Sequence, residues 1–308
     1  MLPVKDLRVS ADITVAELVE SFSSTGGFTA SKLADAVAIL HKMNRSKGCV
    51  RFFSFPACIC ATGTRGVIRD VLRKKLVDVV ITTCGTLDHD IARTAKDYYQ
   101  GTFEADDAAL HRQGINRLGN VFVPNESYGV VLEEIMQPIL KELWDEGKRE
   151  WGTRDLIWEF GKRMGEDSIL HWAWKNQIPV YVPGITDGAF GCQLWMFKQD
   201  RKDFRIDLFK DQQELSDIVF DAKRTGALMI GGGISKHHTI WWNQFRDGLD
   251  YAVFVTTADE SDGSLSGARV REAVSWGKVK EKAKYVTVEG DATILLPIMI
   301  SSLMARLK

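Results

Sequence analysis

A lysine closes the run Glu272-Ala273-Val274-Ser275-Trp276-Gly277-Lys278, and two histidines follow Gly231-Gly232-Gly233; these residues are the best suited in the chain to chemistry. A free lysine titrates near pH 10.4 (about) and is a poor nucleophile while charged. Partial burial of Lys278 against Trp276 would disfavour the ammonium form, and a neutral amine in an apolar pocket attacks carbonyl or imine carbons. The three glycines follow the apolar run from Ala227 to Ile230 and let the backbone approach a phosphate closely, with a helix N-terminus behind. An amine nucleophile combined with a nucleotide loop points to imine chemistry. His237 and His238 are adjacent, so one faces a pocket while the other packs or hydrogen-bonds. Glu272 and Asp262 are placed to recognise a cationic substrate. Each feature also has a plainer explanation: lysine after glycine as a solvated charge, triple glycine as a tight turn, and acids beside Gly or Ser as turn residues.

The elements that must position these residues alternate along the chain. Short β-branched runs at 50–55, 77–83, 179–182, 227–230, 251–257 and 285–288 predict strands, most apolar on both faces. Helical patterns fall at 66–76, 129–148, 211–224, 238–247 and 292–307. Upstream, Thr14 with Leu18 and Phe22, then 30–43 capped by Ser31, predict two preliminary helices. The alternation predicts an α/β fold, a doubly wound and mostly parallel sheet with helices on both faces, Rossmann-like in plan. The whole chain, 1–308, reads as one domain, with 1–48 a helical segment packed on it. Ligands in such sheets sit beyond the strands' carboxyl ends. Those ends carry Cys84-Gly85-Thr86, Thr186-Asp187-Gly188, the triple glycine, Ala258-Asp259-Glu260 and Gly290-Asp291-Ala292. Residues 97–125 lack periodicity and read as a long excursion. Tryptophans concentrate in the middle third, which predicts a thick core or a subunit contact.

Composition excludes several classes. At 308 residues, 45% hydrophobic and 26% charged, with net charge −1, the chain has no bulk attraction for nucleic acid or a membrane surface. The apolar run 292–305 contains Pro297, Ser301 and Ser302 and is shorter than the roughly 20 residues of a spanning helix. Five cysteines without CxxC spacing predict reduced thiols in a cytoplasmic protein, and no metal site.

From Gly231 to Asp291 the sequence resembles deoxyhypusine synthases of the archaeal-type branch. The resemblance rests on GGGISKHH (231–238), Asp250-Tyr251-Ala252-Val253, Thr257-Ala258, Asp262-Gly263-Ser264, Ser266-Gly267-Ala268-Arg269 and EAVSWGK (272–278). Upstream, 77–83 and Thr186-Asp187-Gly188 also match, so it extends over nearly the whole chain.

The resemblance implies transfer of the aminobutyl part of spermidine to a lysine of translation initiation factor 5A, with NAD taking and returning a hydride. Lys278 would carry the group as an imine and His237 would move the proton. NAD contacts are implied at Ala57, Cys58, Ala61, Thr62, Gly63, Thr83, Cys84, Gly85, Asp187, Gly232, Thr257, Ala258, Asp291 and Ala292. Polyamine contacts are implied at Asp88, His89, His237, Gly263, Ser264, Glu272, Trp276 and Lys278. A homotetramer built as a dimer of dimers is also implied. His89 stands where the eukaryotic pattern has glutamate, and Cys192 and Leu265 where it has aspartates, which removes acidic contacts to the donor. The alternatives are a homospermidine synthase-like transfer to a small diamine and an inactive NAD-binding paralogue.

Overall fold

Every residue from Thr225 to Ile230 is buried, which requires cover on both faces of the strand Arg224–Ile230. The computed structural model describes residues 1–308 and bears out the α/β class. The chain packs into two compact units, residues 1–55, 76–81 and 215–308 in the first, 56–75 and 82–214 in the second. Each is assembled from separated segments, so no linker composition marks the division.

In the first unit the sheet order is Val279–Glu289, Leu249–Thr256, Arg224–Ile230, Cys49–Phe55, then Val79–Thr82. The first four pair in parallel. Chain order reverses between Cys49–Phe55 and Arg224–Ile230, so the switch point lies at the strand that runs into the triple glycine. The helices Phe28–Arg45 and Gly233–Gln244 pack on these strands. Gly226 permits the first contact, since a Cβ there would lie 2.5 Å from Met43 Sδ. Ser31 does not cap that helix: Gly27 holds the N-cap position, and the Ser31 hydroxyl donates back to the Gly27 carbonyl. The helix predicted at 238–247 spans Gly233–Gln244, because Lys236, His237 and His238 interrupt the apolar pattern without interrupting the backbone. Ala292–Leu307 forms as predicted, capped by Asp291. No helix is long and apolar enough to cross a membrane.

In the second unit the stretch 97–125 is structured, contrary to its reading as an excursion. Tyr99–Gln100, Ile115–Leu118 and Val121–Pro124 form a small antiparallel sheet. Strands this short carry too few residues to display period two. The helices Thr153–Arg163, Ile169–Lys175 and Ala189–Gln199 hold most of the clustered tryptophans. Four indoles are capped by nearby cations: Arg149 over Trp144 at 3.7 Å, Lys148 over Trp151 at 3.8 Å, Arg154 over Trp158 at 4.3 Å and Lys175 over Trp172 at 4.6 Å.

Candidate active site

The three glycines serve separate backbone needs. Gly231 and Gly233 have φ of 63° and 74°, the left-handed conformations that turn the strand into the helix. Gly232 lies flush against the next loop, where a Cβ would stand 2.3 Å from Ser266 Cα. The helix that follows carries Lys236 and His237 inward.

The run EAVSWGK is one helical turn and its terminator. Glu272–Ser275 is helical, Gly277 takes φ 68°, and Gly277 N–H and Lys278 N–H donate to the Val274 and Ala273 carbonyls, the pattern of a Schellman C-cap. The reversal delivers Lys278 to the mouth of the strand Val279–Glu289, where its carbonyl accepts from Leu249 N–H. Its backbone is thereby fixed by the sheet while its side chain turns into a pocket.

That pocket, of about 260 Å³, is lined by Lys236, His237, Leu265, Arg269, Glu272, Trp276 and Lys278, among others. Lys278 is 8% exposed. Its Nζ lies 5.1 Å from the Trp276 ring centroid and 5.9 Å from that of Trp241. No carboxylate forms an ion pair with it. Burial, and secondarily the nearby Lys278 charge, lower the His237 pKa below the usual imidazole value. A base that is neutral at pH 7 can accept a proton. The His237 ring stacks on Trp241, with centroids 5.7 Å apart and planes at 23°. His238 packs behind: Trp242 Nε1–H donates to its Nε2 at 3.1 Å, and burial pushes its pKa down to about 4.

Lys236 is the second buried lysine, 3% exposed, and it is occupied. Its ammonium donates to the Leu265 and Ala268 carbonyls at 2.7 and 2.6 Å and sits 3.6 Å from the Phe254 ring centroid. Burial pulls its pKa down to about 8, with Glu272 opposing and Arg269 adding to the shift. Sequence reasoning assigned Lys236 no role, since the carbonyls it holds lie far along the chain. Arg269 was missed likewise; it donates to the Ala258 carbonyl at 3.1 Å and pairs with Glu289 at 3.7 Å.

The remaining predicted residues of the first unit gather at neighbouring strand ends. Gly231 N–H donates to Val255 O, and Gly290 N–H to Thr256 O, so Gly232, Thr257, Ala258, Asp291 and Ala292 share one edge of the sheet. Asp291 caps the final helix through Thr293 N–H at 2.8 Å. Gly263 has φ 72° with open space beside it, and Asp262 accepts from Ser264 N–H at 2.7 Å, a turn role.

In the second unit Ala57, Cys58 and Ala61 lie on the 3₁₀ turn Ala57–Ala61, followed by Thr62 and Gly63. Thr83 Oγ1 accepts from Ala57 N–H at 3.0 Å, and a Cβ on Gly85 would stand 2.9 Å from Ala57 Cβ. Arg93, also unanticipated, donates to the Cys60 and Thr62 carbonyls and holds this turn. Ala61 and Cys84 are buried, Asp187 exposed. Asp88 is 0% exposed. Its oxygens accept from Tyr128 OH at 2.7 Å, Ala189 N–H at 3.0 Å and Phe190 N–H at 2.7 Å, so it caps the Ala189–Gln199 helix. His89 Nδ1 is 2.9 Å from Tyr98 OH, and burial lowers its pKa to about 4. It lines a pocket of about 740 Å³ with Asn116, Tyr128, Glu133 and Gln193.

The family model for deoxyhypusine synthase matches residues 17–303. The chain belongs to the deoxyhypusine synthase family. A protein of Picrophilus torridus named "Probable deoxyhypusine synthase" is 58% identical over 97% of this chain and 96% of its own. One of Ignicoccus hospitalis bearing the same name is 51% identical over 99% of this chain and 97% of its own. A solved Entamoeba histolytica structure that carries the family's name superposes with TM-score 0.70, covering 98% of this chain and 97% of that one, at 20% identity; it speaks for the fold. A deoxyhypusine synthase homologue is an enzyme and a transferase, and the archaeal-type resemblance is upheld.

Proposed function

We propose that this family member transfers the aminobutyl group of spermidine to a lysine of translation initiation factor 5A, with NAD as the hydride carrier. The observation that carries the reading is Lys278, an amine enclosed in a pocket with His237 and Trp276 and free of any carboxylate partner.

The strand ends suit a dinucleotide. The helix Gly233–Gln244 has no side-chain cap at its N-terminus, and a Cβ on Gly233 would meet nothing within 4 Å, so backbone N–H groups there are open to an anion. Gly232, Thr257, Ala258, Asp291 and Ala292, at the strand ends of the first unit, would hold NAD there. Bound there, NAD would supply the hydride acceptor for the carbon beside the donor's secondary amine and the hydride donor for the final imine.

The protein's own groups do the rest. His237 accepts the proton released from the donor nitrogen as it becomes an imine. The Lys278 amine adds to the imine carbon, and the bond from that carbon to the departing nitrogen breaks, releasing 1,3-diaminopropane and leaving the aminobutylidene group on Nζ. The factor's lysine then adds to the same carbon and displaces Nζ. Glu272 faces the donor's ammonium end. Lys236 stays out of the covalent steps because its amine is committed to two carbonyls. A cytoplasmic homotetramer belongs to the same proposal.

The test is incubation with labelled spermidine, NAD and the factor. Label fixed on the factor supports the reading; label confined to small polyamines supports a homospermidine synthase-like reaction. Borohydride should trap label on the wild-type enzyme and not on Lys278→Arg, and trapping that survives the substitution removes Lys278 from its role.

A further inference from the structure

Lys236, Arg269 and Lys278 bring positive charge to the lining of the pocket, where Glu272 is the single carboxylate. Under the proposed function, on which this inference rests, the donor is a polycation, so cations in the lining need another use. Two of the three are committed to one loop. Lys236 holds the Leu265 and Ala268 carbonyls. Arg269, the next residue, reaches back across the loop. Its Nη1 donates to the Ala258 carbonyl at 3.1 Å, and its Nε lies 3.7 Å from the Glu289 carboxylate. Glu289 ends the neighbouring strand and is itself held by Lys32 at 2.7 Å. The Arg269 side chain is only 12% exposed.

The loop between Thr256 and Arg269 is closed without slack. The Thr256 hydroxyl donates to the Ser266 carbonyl at 2.8 Å and accepts from Ala258 N–H at 3.1 Å. A Cβ on Gly267 would stand 2.1 Å from the Asp259 carbonyl oxygen. Ala258 is therefore fixed at both of its polar groups, its N–H by Thr256 and its carbonyl by Arg269. The chain has no cis peptide, and in a planar trans peptide the C=O and the following N–H point to opposite sides. Holding the Ala258 carbonyl toward Arg269 thus turns the Asp259 N–H the other way, and that N–H has no partner in the protein. A fixed, open donor lies beside Thr257 and Ala258, the strand end assigned to NAD. Arginine suits the task, because its rigid, permanently charged fork serves a carbonyl and a carboxylate at once.

We propose that Arg269 is a positioning residue for the nucleotide: by holding the Ala258 carbonyl it presents the Asp259 N–H to NAD, although its own side chain lines the donor pocket. Its loss falls on the cofactor and spares the polyamine.

The experiment measures NAD binding by calorimetry for the full-length wild type, Arg269→Met, Arg269→Lys and Glu289→Gln. Spermidine binding at saturating NAD, aminobutyl transfer and thermal denaturation are followed alongside. Methionine should weaken NAD binding about tenfold and lysine, which keeps a charged donor, about threefold, the range expected for one hydrogen bond from a charged group. Spermidine binding should stay within about twofold of the wild type in both. Glu289→Gln leaves the Ala258 bond in place and should change NAD binding by less than about twofold. Undiminished NAD binding in Arg269→Met overturns the assignment. So do equal losses for NAD and spermidine, the mark of a collapsed loop, or a loss in Glu289→Gln as large as in Arg269→Met. Should the methionine variant not fold, the lysine variant decides: weakened NAD binding with spermidine binding kept supports the role, and unchanged NAD binding removes it. Wild-type enzyme that binds NAD in an Arg269-dependent way yet transfers nothing sinks the functional reading and leaves the positioning role standing. Transfer with NAD binding indifferent to Arg269 does the reverse.

Discussion

The pocket of the first unit and the Asp88–His89 region of the second contain the same kinds of residue arranged to opposite ends. Around Lys278 the amine has no ion pair and lies over the Trp276 and Trp241 rings, and burial lowers the pKa of the His237 imidazole stacked on Trp241. Around Asp88 the polar groups are satisfied, the carboxylate by three donors and the His89 ring by Tyr98. Buried polar atoms that are fully bonded stabilise a fold, while those left free are available for a substrate. Under the proposed function the first region would carry the reaction, while the Asp88 carboxylate caps the Ala189–Gln199 helix.

The sharpest way to break that comparison is a reciprocal pair of substitutions. Lys278→Met should abolish imine trapping, a loss on the order of a thousandfold or more. It should leave chemical denaturation within about 1 kcal/mol of the wild type, because no bond is broken. Asp88→Ala should do the opposite and lower stability by roughly 2–3 kcal/mol, since two helix N–H groups and a tyrosine hydroxyl lose their acceptor. A stable, inactive Asp88→Ala protein would move Asp88 to the substrate side.

Lys236 sharpens the contrast inside the first pocket, because two buried lysines there have different fates. Its folded pKa, about 8, lies below the unfolded value of 10.5. Between those values the unfolded chain binds more protons than the folded one, so stability rises with pH through that window and is flat below it. Lys236→Met removes this dependence. From pH 7 to pH 10 the wild type should gain about 2 kcal/mol more than the variant. Parallel denaturation profiles would show that the burial of Lys236 does not perturb its titration.

Legibility in the sequence followed the range of the interactions. Strands apolar on both faces, such as that containing Ala227 to Ile230, were readable from residue type alone, as was the capped helix Ala292–Leu307. The turn that delivers Lys278 was readable because Trp276, Gly277 and Lys278 are contiguous and Gly277 must take a left-handed φ. Hidden were features set by distant partners: the bond from Lys236 to Leu265 and Ala268, the approach of Trp241 to Lys278, and the capping of a helix at Ala189 by Asp88. The helices at 153–199 were missed because tryptophans shielded by their own cations blur the contrast between apolar and polar faces.

The smallest expected effect concerns His89, which separates a supporting histidine from a reacting one. Burial first, and the neighbouring Arg93 second, lower its folded pKa to about 4 from 6.5. Above pH 6.5 both states are neutral and His89 contributes no dependence on pH. As pH falls toward 4 the unfolded chain takes up a proton that the folded one refuses, so stability declines across that window. His89→Gln keeps a hydrogen-bonding group beside Tyr98 and removes the titration. Denaturation at pH 5 should then favour the variant by roughly 1–2 kcal/mol relative to its standing at pH 7.5. A supporting role predicts that donor KM at pH 7.5 changes little beside this gain. A rise in donor KM of about tenfold or more would instead place His89 against the polyamine, and the pairing of its ring with Tyr98 would then describe only the unliganded enzyme.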